Sequence, residues 1–497
     1  MNANDRGHPW RWGVAGALSA CVYFERLFGF PLHERVRGDA ASYLAIGTQL
    51  PENELFPSFE TSQGVGLPLL LRAFRAYLEP LAADFGRHWF EWVPVYLFLF
   101  HLACCALFWE AARRTLSRSE LPTPHPLLLF LLLLHPGLVA GTTLLLTDTL
   151  TVDLVLLGSA AWLLRPADGQ GRPLVLAAAG SATGLCWALA AIARPVFVVP
   201  VLGAATLLVL VWGIEAMRAR AETLGARAWV RRGTALTALL VSVGTPLLLA
   251  VERCEQRHGE ACLADPVAVR KLSGWEGGVG LSNVRTYWSS KTTPPGLIVL
   301  VTDRWIRRHL SDDCVIERVV GPKSSASCVL SHLHLAPVLA FKKAAAFVDQ
   351  QHYQSYVADG TPARARHYFR LFSALTWLGL LGMPLAIVAA LRRAKVSPRF
   401  RESLAVLTLP LLAAAAHVLG HVESRYLLVL VPFGYVALGC VLAVTLARAA
   451  RRDWRFVAFV AGAATLALGA WFAQLGDWDS LDSTQQLIDA GFSGGRG

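Results

Sequence analysis

The chain has 497 residues, of which 54% are hydrophobic and only 16% charged, with a mean hydropathy of +0.45. A soluble globular chain carries roughly 25% charged residues, so the composition excludes an ordinary water-soluble domain. The formal charge of +11 does not indicate a nucleic-acid binder, because the arginines lie in short loops between apolar runs, where orientation in a membrane accounts for them.

Apolar runs of about 18–22 residues recur along the chain, each long enough to cross a hydrocarbon core of roughly 30 Å. In chain order they fall at 12–30, 91–109, 126–142, 149–164, 174–193, 196–213, 233–250, 371–391, 403–420, 427–447 and 455–473. The first lacks a small-residue cleavage site and is followed by further spans, so it reads as a membrane span rather than a cleaved signal peptide. The runs 126–142 and 149–164 are nearly continuous. His135-Pro136-Gly137 is expected to kink the first, and Thr147-Asp148-Thr149 to mark the turn between them. The pattern predicts an all-α polytopic membrane protein with about 11 transmembrane helices and a mixed extracytoplasmic segment. About seven helices belong to an N-terminal module, 1–250, which includes a first outer loop at 31–90; 251–370 is the extracytoplasmic segment; about four helices form a C-terminal module, 371–497.

Charge tests this count. Alternate loops carry Arg113, Arg114 and Arg118, then Arg165 and Arg172, then Arg218, Arg220, Arg227, Arg231 and Arg232. The series continues with Arg392, Arg393, Lys395, Arg399 and Arg401, then Arg448, Arg451, Arg452 and Arg455. Basic loops mark the cytoplasmic side, so the N-terminus is expected inside and the C-terminus outside.

The segment 251–370 is too polar and too long for a simple loop. It holds Trp275, Trp288 and Trp305, a glycine-rich stretch, and an amphipathic helix expected from about Pro337 to Val357. Five cysteines (Cys21, Cys104, Cys105, Cys186 and Cys440) lie in apolar runs and read as packing residues. Cys254, Cys262, Cys314 and Cys328 all fall in 251–370. An even set in an oxidising compartment suggests two disulfides, with Cys254–Cys262 and Cys314–Cys328 the simplest of three connectivities and free buried thiols the alternative. No spacing suggests zinc.

The chemistry-bearing residues gather at the outer ends of the spans. Asp39 sits in Arg37-Gly38-Asp39-Ala40-Ala41-Ser42-Tyr43, with Tyr43 one helical turn on; it is either a partly desolvated base or a helix cap, and Glu34 competes for the role. Asp148 is costly near a membrane and must face protein or water, as an orienting acid or as a cap. Asp153, one turn deeper, is expected to be hydrogen-bonded internally. Arg194-Pro195 places an arginine against the positive-inside trend, to snorkel or to bind an anion. His421-Val422-Glu423-Ser424-Arg425-Tyr426 packs ionisable groups into a tight outer turn, where Arg425 suits a phosphate or a local pair with Glu423. His417 reads as a satisfied buried histidine.

Together these motifs resemble the superfamily C glycosyltransferases, in the branch around protein O-mannosyltransferases and lipid A aminoarabinose transferase. The resemblance rests on Gly38-Asp39-Ala40-Ala41-Ser42-Tyr43, Gly64-Val65-Gly66-Leu67-Pro68-Leu69-Leu70, Thr147-Asp148, Arg194-Pro195, and Glu423-Ser424-Arg425-Tyr426-Leu427 through Pro432. It covers 1–215 and 371–447. Asp39 is followed by Ala40 where the mannosyltransferases have an Asp-Glu pair, and 251–370 matches nothing in the pattern.

The resemblance implies a multi-pass enzyme of a bacterial-type inner (plasma) membrane, working on its outer face. It would move a sugar from a polyprenyl-phosphate donor to a hydroxyl of a glycan, lipid or protein acceptor, with membrane lipid as its surroundings and no nucleic acid. Asp39 would be the general base and Asp148 would position the acceptor. Arg425 and Arg194 would stabilise the leaving phosphate, while Tyr43, His421 and Glu423 would bind substrate. One base and direct displacement imply inversion. No cofactor is required, Mg²⁺ or Mn²⁺ near Asp39, Asp148 and Glu423 being the alternative. Three rival classes stand beside it: a lipid-linked glycan polymerase or ligase, a non-catalytic assembly factor, and a transporter or flippase, which would want polar residues and broken helices at mid-membrane depth.

Overall fold

The computed structural model describes residues 66–84, 88–143, 147–166, 172–221, 226–263, 283–289, 297–309, 331–348, 363–393, 398–418, 428–475 and 478–481, with Gly16, Leu18, Ser19, Tyr43, Leu44 and Pro266. Hydrocarbon offers the backbone no water, so an apolar run crossing it must satisfy its own N–H and C=O groups as a helix. The N-terminal half comprises α1 (Gly66–Asp84), a 3₁₀ turn (Trp89–Glu91), α2 (Val93–Arg118), α3 (Pro126–Leu133), α4 (Pro136–Thr143) and α5 (Thr147–Leu164). There follow α6 (Pro173–Ala193), a 3₁₀ turn (Pro195–Phe197), α7 (Val198–Ala221) and α8 (Ala226–His258). After these come β1 (Asn283–Ser289), β2 (Leu297–Asp303), α9 (Arg304–His309) and α10 (Ala336–Phe347). The last group is α11 (Ala363–Arg393), α12 (Pro398–Val418), α13 (Val431–Ala450), α14 (Trp454–Leu475) and β3 (Trp478–Leu481).

Eight stretches among the described residues are long and apolar enough to cross a membrane, in α2, α5, α6, α7, α8, α11, α13 and α14. The chain is therefore a multi-pass, predominantly helical membrane protein. Three further expected spans have other outcomes. The run 12–30 lies outside the described residues apart from Gly16, Leu18 and Ser19. The run 126–142 is divided into α3 and α4, each of 8 residues. Pro136 has no N–H to continue the ladder; the His135 N–H turns back to the Leu132 carbonyl at 3.0 Å, and α4 restarts with Val139 bonded to the His135 carbonyl at 3.0 Å. The run 403–420 lies in α12 as far as Val418, the first turns of that helix carrying Arg399, Arg401 and Glu402, and positions 419–420 lie outside the described residues.

Two groups of helices make the bundle. α6 packs against both α5 and α8, and α5 against α2; α11 packs against α13, which also meets α3 and α14. The main joint between the groups is α7 against α12. Small residues set the closest approaches, as expected where lipid gives helices no hydrophobic reason to associate. Gly180 and Gly184, four apart on α6, face the backbone carbonyls of Ala235 and Leu239 on α8, and Gly379 of α11 meets Gly434 of α13. A side chain at Gly184 has no room without moving α8. Gly184→Leu is expected to lower stability by about 1–3 kcal/mol through overpacking, read as an earlier thermal unfolding midpoint in detergent; an unchanged midpoint would show that the helices separate freely. At the periphery, α14 turns Phe459, Leu466 and Phe472 outward.

The two ends of the bundle differ. At one end, Arg165 after α5 pairs with Glu402 at the start of α12, both buried, with the guanidinium 4.2 Å from the Trp162 ring centre. Leu121 packs there on Leu116 and Leu404. The opposite end carries the irregular structure. β1 and β2 form an antiparallel pair, and β3 adds to β2 with Leu300 opposite Leu481 and Asp303 opposite Trp478. Since β3 follows α14 directly, β1, β2 and the strand after α14 share one end of the bundle. α8 runs to His258, past the expected boundary at 250, and Cys254 on its last turns is disulfide-bonded to Cys262, with Cα atoms 5.4 Å apart. Cys314 and Cys328 lie outside the described residues. The expected amphipathic helix is α10, with Pro337 in its first turn; positions beyond 348 lie outside the described residues.

Candidate functional site

Thr147-Asp148-Thr149 opens α5, so Asp148 sits where the helix dipole favours a negative charge. Its carboxylate is almost fully buried and pairs with the guanidinium of Arg194, whose side chain is 17% exposed. Arg194 is delivered by the end of α6. Its own N–H still bonds to the Ala190 carbonyl at 2.9 Å, but its backbone is extended (φ −146°, ψ 99°) because Pro195 follows. The Pro195–Phe197 turn then reverses the chain into α7, leaving the guanidinium at the mouth of the helix hairpin beside α5. Glycine at 141 lets α4 come close: any side chain there would meet Thr149, next to the acid.

Tyr43 joins this pair. Its side chain is buried, and its hydroxyl lies 3.3 Å from Oγ1 of Thr147, the residue before Asp148. It is held by a small apolar cluster of its own, made with Leu67 and Leu71 of α1, Trp89 of the 3₁₀ turn, Val93 and Leu97 at the start of α2, and Leu150 of α5. The stretch Gly66–Leu70, part of one motif of the resemblance, opens α1, a separate helix lying against α5 and α6. Its burial of Leu67 and Leu71 helps to hold Tyr43 on the acid-bearing end of α5.

Three of the residues singled out from sequence, Tyr43, Asp148 and Arg194, are thus brought together. Asp39, His421, Glu423 and Arg425 lie outside the described residues. The anion that Arg194 meets is Asp148. An arginine–carboxylate pair of this kind is charge-assisted and fixes the end of α6 against the start of α5.

A second polar cluster lies deeper. His101 of α2 and Asp153 of α5 are fully enclosed, with Nδ1 and Oδ1 2.6 Å apart, and the Cys105 Sγ lies 3.5 Å from Nε2 of His101. Asp153 is hydrogen-bonded internally as its sequence context demands. Its partner was not legible: a lone histidine in Phe98–Cys105 carries only the general signal that an ionisable group inside a membrane needs a partner. His135, at the α3–α4 break, reaches Oγ1 of Thr376 on α11 with Nε2 at 3.2 Å. His101→Leu is expected to strand the Asp153 carboxylate and cost about 1–3 kcal/mol or more, whereas the double variant H101L/D153L should regain much of that loss in thermal unfolding. A double variant no better than the single would mean that the pair is not coupled.

An apolar cavity of about 150 Å³, with Phe108, Met383, Leu404, Phe433 and Cys440 in its wall, opens between α2, α11, α12 and α13; neither polar cluster lines it. Among the described residues, no group of three or more His, Cys, Asp or Glu side chains is arranged to hold a metal ion. No known protein family, curated protein or solved structure matches this chain.

Proposed function

We propose that the protein is a membrane glycosyltransferase that moves a sugar from a polyprenyl-phosphate donor to an extracytoplasmic hydroxyl, with inversion. The observation that carries this reading is the meeting of Tyr43, Asp148 and Arg194 at the end of the bundle that bears the disulfide and the sheet. They come from three separate motifs of the resemblance. Asp39 is tied to Tyr43 by four residues of chain, at most about 14 Å, so it is available as the base that takes the acceptor's proton. The sugar's anomeric carbon then accepts the hydroxyl oxygen as its bond to the phosphate oxygen breaks, and the phosphate leaves with the electron pair. Arg425 and Arg194 stabilise that charge, and Asp148 fixes Arg194 in place while orienting the acceptor.

In this reading the arginine-rich loops are cytoplasmic, 251–370 faces outward, and eleven helices cross the membrane. The transporter class gains support from one feature: the α3–α4 break and the buried His101, Asp153 and His135 are what a transport path would use. Against it, His101 and Asp153 are enclosed and satisfied by each other, and the apolar cavity is lined by neither of them. The deciding experiment compares lipid-linked and surface glycans of cells carrying wild type or Asp39→Asn. A glycan lost in the variant, with its lipid-linked precursor accumulating on the outer leaflet, supports transfer. A precursor trapped on the inner leaflet would sink it in favour of a flippase.

A further inference from the structure

The cavity of about 150 Å³ between α2, α11, α12 and α13 is held open by its walls. Ala112, Ala386, Ser403 and Ala437 are too small to fill it. The helices around it are pinned from behind. The Gly439 carbonyl of α13 accepts the His125 N–H at 3.0 Å, and any side chain at 439 would meet Pro124. The buried Arg165–Glu402 pair ties the start of α12 to the end of α5, two residues beyond Leu163 of the wall. Water gains little by entering: a cavity of this size with apolar walls stays dry and accepts hydrocarbon. Left empty, it denies its lining the contacts that a filled space would supply.

Its depth fits one leaflet. Phe108 of α2 and Phe433 of α13, with ring centres 4.6 Å apart, are its deepest wall residues on those helices. Phe108 lies ten residues before Arg118 on α2. That is about 15 Å along the helix, half of a hydrocarbon core of roughly 30 Å. Ile387, Val436 and Cys440 in the wall are only half-buried, so the space reaches the surface that faces lipid. At the shallow end all four helices carry arginine. Arg118 closes α2, Arg393 closes α11, Arg399 and Arg401 open α12, and Arg448 lies in the last turn of α13. Neighbouring acids are already engaged, Glu402 by Arg165 and Asp453 by Arg448. Arg118 is exposed, and no acid among the described residues pairs with it.

We propose that this cavity binds one acyl chain of an anionic phospholipid from the adjacent leaflet, with the headgroup phosphate against Arg118. The apolar walls select a hydrocarbon chain, and the arginines at its mouth select negative charge, as basic pockets between membrane helices do. The chain fills the seam where α2, of the first helix group, faces α11, α12 and α13. The site is separate from the cluster of Tyr43, Asp148 and Arg194. Leu163 of the wall lies fifteen residues along α5 from Asp148, about 22 Å. The proposal therefore does not depend on the glycosyltransferase reading.

The test places the full chain in nanodiscs of phosphatidylcholine and phosphatidylglycerol in equal amounts and weighs the lipids it retains by native mass spectrometry. Wild type should retain one phosphatidylglycerol in preference to phosphatidylcholine. Ala437→Phe, which puts a ring into the cavity, should lose that lipid; if it does not fold, Ala386→Leu fills the space from α11. Arg118→Gln should lower the preference for phosphatidylglycerol about five-fold, the effect of one cation near the membrane surface. Stripping lipid with detergent should lower the thermal midpoint of wild type and leave that of the folded filling variant unchanged, because the added side chain replaces the acyl chain. Equal retention of phosphatidylglycerol by wild type and the filling variant would overturn the proposal. So would retention of phosphatidylcholine as readily as phosphatidylglycerol, or displacement of both by polyprenyl phosphate supplied at the same concentration.

Discussion

Arg194→Met is expected to destabilise the protein by about 3–5 kcal/mol, because Asp148 stays buried and loses the guanidinium with which it pairs. The cost comes from a carboxylate left out of water, not from the attraction itself, which an apolar pair of similar size could replace. The double variant R194M/D148L should therefore recover much of the lost stability while remaining inactive. Thermal unfolding of purified protein, followed by intrinsic fluorescence, reads the first quantity, and sugar transfer in membranes reads the second. Recovery of both in the double variant would make the pair a helix clamp with no part in chemistry. If Arg194→Met alone left the midpoint unchanged, the guanidinium would not be holding the acid.

Asp39→Asn should lower the transfer rate by about 10²–10⁴-fold, the range expected when a general base is removed, at unchanged membrane abundance. Asparagine keeps the shape and the capping capacity of aspartate, so a helix-cap role would survive the change almost intact. That contrast separates the two readings of this residue. The product made by wild type should carry the opposite anomeric configuration to its donor, because one base and one displacement leave no covalent sugar intermediate. Retention of configuration, or full activity in Asp39→Asn, would remove Asp39 from the role of base. Glu34→Gln serves as the control for the competing acid.

Much of the architecture is fixed by local chemistry. Length and apolarity alone set where α2, α5, α6, α7, α8, α11, α13 and α14 run, since a backbone in hydrocarbon has few ways to satisfy itself. Pro136 lacks the N–H that a continuous helix needs, so the break between α3 and α4 was readable residue by residue. Cys254 and Cys262 lie eight residues apart in sequence, and their bond closes a short local loop. Asp148 was also marked in advance by its cost near lipid, Arg194 by its departure from the positive-inside trend, and Tyr43 by its place one helical turn after Asp39. Their convergence was not, because it depends on which helices become neighbours. The Arg194 turn reaches Asp148 because α6 lies close on α5, where Gly158 faces Trp187 and the Thr183 carbonyl, and Tyr43 reaches Thr147 because α1 buries leucines in the cluster that also holds Leu150 of α5. His101 gave no local cue to its partner on another helix, and the α10 pattern gave no sign that Lys342 and Lys343 are buried. Sequence fixed which side chains are expensive in a membrane; only tertiary packing, which chooses the neighbour that satisfies each one, decided Asp148 with Arg194, Asp153 with His101, and Glu402 with Arg165.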